Sequence, residues 1–191
     1  GQLSANRSPP IPHIEQQVVQ SLAEMGMGNY TLKIELSPTP IGSDGTDQVH
    51  FLFSANTGHA LAEMSKVASG GELSRLMLSI KSLIASHTAL PTIIFDEIDA
   101  GVSGEVANKV GVIMEHLAEN LQVITITHLP QIASKGTSHY FVFKDDTSAT
   151  TYTRIKQLSE QERIVEIAKM LSGDKPGDSA LQNARELLSL Q

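Results

Sequence analysis

The feature that most restricts how this chain can fold is a strand–helix–strand pattern in its middle. Pro91-Thr92-Ile93-Ile94-Phe95 and Val123-Ile124-Thr125-Ile126 are short, largely apolar runs, the kind found in strands buried on both faces of a sheet. Between them, from about Ser103, Val106, Val110, Ile113, Met114 and Leu117 recur at helical spacing. Strand, helix and strand with short links predict a parallel βαβ unit, and with it an α/β fold. The 191 residues, 40% hydrophobic and 18% charged, suffice for one domain with a packed core. The longest apolar runs fall far short of a membrane span.

The flanks read less sharply. Ile14, Val18, Leu22 and Met25 mark one face of a helix from about Pro10 to Met25. Residues 30–36 and 49–53 are β-like and predict an antiparallel hairpin, with the Pro-, Gly-, Ser- and Asp-rich stretch 37–47 as its loop. Gly70 opens the clearest helix, striped by Leu73, Leu76, Met77, Ile80, Leu83 and Ile84. Beyond the βαβ unit, residues 139–144 and 150–156 predict a second antiparallel pair around Asp145-Asp146. Helices over about 159–171 and 178–190 follow.

Composition removes whole classes of chemistry. The chain has no cysteine, so disulfides, thiolate zinc sites and cysteine nucleophiles are excluded, which fits a reducing compartment. Lys+Arg 14 against Asp+Glu 21 gives a net charge of -7, with the basic residues scattered. That argues mildly against this segment being a main DNA-gripping surface. The seven histidines show no HExxH-type spacing, and Gly101-Val102-Ser103-Gly104-Glu105 misses the nucleophile elbow at its last position. The polar opening Gly1-Gln2-Leu3-Ser4 has no signal-peptide pattern and looks like the start of a piece of a longer protein.

Four short elements carry candidate chemistry. Ser69-Gly70-Gly71-Glu72 forms a capping box, which by itself accounts for a helix start. Two glycines in a first helical turn are costly, however, and bare amides at a helix N-terminus suit a phosphate. Asp96-Glu97 follows a strand directly, at the carboxyl end where ligands of open α/β sheets bind. An Asp there suits Mg²⁺, and an acidic neighbour suits orientation of an attacking water; a turn cap plus a solvated glutamate is the plainer alternative. The loop Asp99-Ala100-Gly101-Val102-Ser103-Gly104 and His128 at the end of its strand are each weak alone.

Their order resembles that of ATP-binding-cassette ATPases. Residues 69–72 look like the signature motif, 93–97 the Walker B strand, Asp99 the D-loop and His128 the switch histidine. Glu72 in place of Gln resembles the SMC branch. Three runs are similar to the RecN family of bacterial DNA-repair proteins. They are Lys66-Val67-Ala68-Ser69-Gly70-Gly71-Glu72-Leu73-Ser74-Arg75, Phe95-Asp96-Glu97-Ile98-Asp99-Ala100-Gly101-Val102-Ser103-Gly104 and Thr127-His128-Leu129-Pro130-Gln131-Ile132-Ala133. The likeness covers most of the chain, with the specific motifs confined to 66–133; Ala68 stands where many cassette members carry Leu.

The resemblance implies the C-terminal lobe of a P-loop ABC/SMC-type ATPase head, a mixed sheet with flanking helices over 27–191. Residues 1–26 would form the foot of a coiled-coil arm. It implies ATP and Mg²⁺ as cofactors, with Asp96 holding the metal and Glu97 activating water. Ser69, Gly70, Gly71 and Glu72 would lie at the ATP of an opposing head, and Asp99 and His128 would couple hydrolysis to head engagement. The implied partners are the Walker A half of the same protein, a second copy of the head, and DNA through the full-length protein. The implied setting is double-strand-break repair and recombination at the bacterial nucleoid, in the cytoplasm and with no membrane partner. No Gly-Lys pair occurs in the sequence, so the phosphate-cradling P-loop is missing and this segment alone is expected to be inactive. Another SMC-like chromosome-maintenance head, a transporter cassette and a non-catalytic cassette-shaped module are the alternative readings.

Overall fold

The computed structural model describes residues 1–54, 60–64, 70–88, 90–96, 98–145 and 151–189. The chain divides into two compact units, 1–92 with 97–102, and 93–96 with 103–191. No described helix is long and apolar enough to cross a membrane.

The first unit is built on an antiparallel hairpin. After α1 (Gln2–Arg7) and α2 (Ile11–Glu24), strand β1 (Thr31–Gly42) pairs with β2 (Gly45–Ser54), and a two-residue strand β3 (Ala62–Glu63) adds to β2. Alternation along β1 sorts the faces: Leu32 and Ile34 are buried while Thr31, Lys33 and Glu35 are exposed. Phe53, directly opposite Leu32, is fully buried. Helix α2 packs on β1 and on α3 (Gly70–His87), contributing Val18 and Leu22, with Met25 just past its end, to the core beside Leu76 and Leu78 of α3. Burying each such side chain stabilises by roughly 1.5–3 kcal/mol. Polar ties fix the helices: the Ile34 N–H donates to Glu15 Oε1 at 2.7 Å, and Ser79 Oγ meets Ser21 Oγ at 3.1 Å.

Two sequence expectations change here. The stretch 37–47, expected as a loop, is mostly strand, with Pro38 opposite Asp47 and an irregular register between Pro38 and Gly42. β1 is an edge strand of its sheet among the described residues, and an edge tolerates the missing proline N–H groups. Arg7 braces the far end of the hairpin through Asp47 at 3.1 Å and the Asp44 carbonyl at 2.7 Å. Helix α3 buries a wider arc than one stripe: Leu76, Leu78 and Ser79 are buried and Ile84 is exposed.

The second unit holds β4 (Thr92–Asp96), α4 (Gly104–Ala118), β5 (Gln122–Ile126), α5 (Pro130–Ala133), β6 (Tyr140–Asp145), β7 (Tyr152–Gln157), α6 (Glu160–Ser172) and α7 (Asp178–Ser189). β4 and β5 are neighbours in a two-stranded sheet with α4 as the connection, the crossover form expected of a βαβ unit. Ala107, Val110 and Met114 of α4 are buried, and the Thr125 hydroxyl reaches Met114 Sδ at 3.5 Å. The expectation of strands buried on both faces fails. Phe95 is buried, but Ile94 is 57% and Ile126 56% exposed, with Ile124 exposed on the same alternation. One face of this sheet meets α4, and the other is bare apolar surface.

β6 and β7 pair antiparallel from Tyr140 opposite Gln157 to Asp145 opposite Tyr152, as the sequence suggested. α6 and α7 pack together around Ile167, Ala168 and Ala184. A full capping box starts α6: Ser159 Oγ accepts from the Glu162 N–H, and the Glu162 carboxylate accepts from the Ser159 N–H.

Candidate functional site

In the first unit the N-terminus of α3 lies against the turn 98–102. A Cβ on Gly71 would stand 2.7 Å from the Ala100 carbonyl oxygen and 3.4 Å from Gly101 Cα. Gly101 itself has φ +69°, and a Cβ there would meet Gly71 Cα at 3.6 Å. Two backbones therefore approach with no side chain between them, which only glycine permits. This supplies a local reason for Gly71 beside the expected phosphate contact. The turn is anchored by buried Ile98 and Val102, and the Val102 N–H donates to the Asp99 carbonyl at 3.0 Å. Asp99 is only 2% exposed. Gly70, Gly71, Glu72 and Asp99 thus share one unit, with Gly71 against the turn that holds Asp99.

Glu72 is held from the hairpin. The Tyr30 hydroxyl donates to Glu72 Oε1 at 2.7 Å, and the Tyr30 ring stacks on Phe53 at 5.3 Å between centroids. Burial first, then the hydrogen bond and charge of Glu72, push the Tyr30 hydroxyl up to about 12. Arg75, one turn on, donates through Nε to Met27 Sδ at 2.9 Å. Nothing in the sequence pointed to Tyr30, because 42 positions separate the pair and neither residue's local pattern requires the other.

A second constellation escaped the sequence reading. His50 Nε2 lies 3.0 Å from Ser37 Oγ, and His50 Nδ1 lies 2.9 Å from Glu63 Oε1. This chain links β1, β2 and β3 on the face that carries exposed Lys33 and Glu35. It fastens the short strand that precedes α3.

In the second unit Asp96 ends β4 and is exposed, and exposed His128 follows β5 after Thr127. Thr127 Oγ1 accepts the Leu129 N–H at 3.0 Å, a local turn that ends the strand and lets Pro130 start α5. Asp96 and His128 therefore end neighbouring strands. Ser69 and Glu97 lie outside the described residues. The described residues offer no group of three or more His, Cys, Asp or Glu for a metal. A single exposed carboxylate at a strand end does suit Mg²⁺, which keeps most of its waters and takes other oxygens from phosphates.

No protein-family model matches the chain. Its fold is that of SMC heads. The Smc head domain with a coiled coil and joint from Pyrococcus yayanosii superposes with a TM-score of 0.66 at 18% identity, covering 85% of this chain and 29% of that one. A structure from work on the ATP-driven dimerization and DNA stimulated activation of SMC ATPases gives 0.59 at 17% identity, covering 87% and 95%. The fold thus places the chain with SMC head domains.

The sequence narrows it. The chain is 42% identical over 188 residues to DNA repair protein RecN of Rickettsia conorii, covering 98% of this chain and 34% of that protein. The chain is a RecN-like sequence and spans about a third of the length of the curated relatives it matches.

Proposed function

We propose that this chain is the C-terminal lobe of a RecN-like ATPase head, acting in DNA repair through ATP-dependent pairing of two heads. The observation that carries the reading is the first turn of α3. Gly71, between Gly70 and Glu72, lies beside the turn holding Asp99, in a chain whose β4 and β5 lead into Asp96 and His128. In this reading Ser69, Gly70, Gly71 and Glu72 face the ATP of the opposing head, and Asp99 and His128 link hydrolysis to head contact. Glu97 takes a proton from the attacking water. Mg²⁺, held through Asp96, would supply neutralisation of the phosphate charge.

The bare face with Ile94, Ile124 and Ile126 supports an incomplete sheet, finished by the Walker A half of the same protein. Positioning and charge neutralisation provide most of phosphoryl-transfer catalysis, so this lobe alone should show no ATP turnover above background.

The test uses the complete protein. Glu97→Gln should bind ATP and hydrolyse it at least about 10²-fold more slowly, the usual contribution of a positioned general base. Near-normal turnover, measured by phosphate release, would remove Glu97 from the mechanism. Clear turnover by the 191-residue chain alone would refute the division into halves.

A further inference from the structure

Tyr30 belongs to none of the motifs, yet its hydroxyl reaches the first turn of α3. It donates to Glu72 Oε1 at 2.7 Å while its ring stacks on Phe53, 5.3 Å between centroids and 27° between planes. Phe53 is fully buried on β2 opposite Leu32, so the phenol is carried by the best-packed part of the hairpin. Its hydroxyl, raised to about 12, stays protonated and keeps donating at neutral pH. On the same helical turn, Gly71 rests against Ala100 and Gly101. The turn is therefore gripped twice, by a backbone contact at Gly71 and by a charge-assisted hydrogen bond at Glu72.

We propose that Tyr30 is a positioning residue for the turn Gly70–Glu72: its hydroxyl fixes the Glu72 carboxylate and thereby the direction in which that turn presents itself to a nucleotide. The inference rests on the proposed function, in which this turn meets the ATP of the opposing head. A hydrogen bond to a charged group is strong enough to matter there, and small misplacements of groups that position a reactant are costly in rate. Tyr30 touches no reacting atom in this account. Its effect passes through Glu72.

The experiment uses the complete protein and the substitution Tyr30→Phe, which keeps the ring and its stacking and removes only the hydroxyl. In a Glu97→Gln background, ATP-driven pairing of heads is followed by analytical ultracentrifugation. The expected result is a dimer Kd weakened about tenfold, the size of one hydrogen bond to a charged group. In the otherwise native protein kcat should fall by a similar factor, with KM for ATP changed less than about twofold, because the P-loop half sets ATP affinity. Combined with Glu72→Ala, Tyr30→Phe should add no further loss, since the group it positions is gone.

Unchanged pairing and kcat in Tyr30→Phe would overturn the proposal. So would fully additive losses in the double variant, which would show that the hydroxyl acts elsewhere or only on folding. The Glu97→Gln control separates the two levels. If ATP drives no pairing even with Tyr30 intact, the reading of the turn falls and takes this proposal with it. If pairing occurs equally with and without the hydroxyl, only the role of Tyr30 falls.

Discussion

The two antiparallel hairpins have similar strand chemistry and opposite fates. β1–β2 carries Leu32, Ile34 and Phe53 on one face, and α2 covers that face. β6–β7 carries Tyr140, Phe141, Val142, Phe143, Tyr152 and Ile155, all exposed, with Phe141 stacked on Phe143 at 5.9 Å. The first is a half-buried sheet with one polar face, and the second mixes exposed apolar side chains with Lys144, Arg154 and Lys156 across its two faces. A hairpin becomes stable structure when a partner element removes one face from water. The described chain provides that partner once. In the second unit apolar side chains stay uncovered on both sheets, Ile94 and Ile126 on β4–β5 and Ile155 on β6–β7.

Four substitutions test this contrast. Phe53→Ala removes the centre of the covered hairpin and should cost about 3–5 kcal/mol, read from urea unfolding of the chain. A loss below about 1 kcal/mol would mean the hairpin is not packed as described. Gly71→Ala forces its new methyl onto the Ala100 carbonyl and should cost about 1–3 kcal/mol, the usual penalty of overpacking; a neutral result would show that the turn 98–102 yields freely. Ser159→Ala removes the cap of α6 and should cost about 1 kcal/mol. Ile155→Thr, on the bare hairpin, should stay within about 0.5 kcal/mol. A larger cost in the chain alone would contradict its exposure, whereas a larger cost only in a longer polypeptide would show that the added residues cover the hairpin.

The second unit also has a pH signature. Burial, aided by the charge of Arg163, lowers His139 below its ordinary 6.5, and its Nε2 is buried with no hydrogen-bond partner among the described residues. The unfolded chain therefore binds this proton more readily than the folded one. Stability from His139 is complete above about pH 6.5 and is lost as pH falls from there through the lowered value. His139→Gln should flatten Tm against pH in that window; an unchanged profile would assign the acid sensitivity to other groups. The Lys156 ammonium and the Ser159 donors hold the exposed Glu162 down at about 2, so its contribution persists to lower pH and fades between about 4.5 and 2.

Much of the fold was legible because it is local. The period of 3.6 in α2 and α4, the short strands, and the antiparallel pairing of β6 with β7 all follow from patterns a few residues long. The candidate residues were legible for the same reason, as short runs whose order resembles a known family. What escaped was non-local. The extension of β1 through Pro38 depends on its edge position, the exposure of Ile94 and Ile126 depends on which elements are present, and the Ser37–His50–Glu63 chain depends on three strands meeting.

By itself the sequence determined most of the helices and strands, the lack of any Gly-Lys pair and the places where carboxylates and glycines gather, since each follows from spacing along one stretch of backbone. Only the tertiary structure decided that Gly71 must be glycine against Ala100, that Asp99 turns out of solvent, and that Tyr30 holds Glu72. Those facts arise from close packing between segments far apart in the chain, where tenths of an ångström decide what fits and no local pattern records the neighbour.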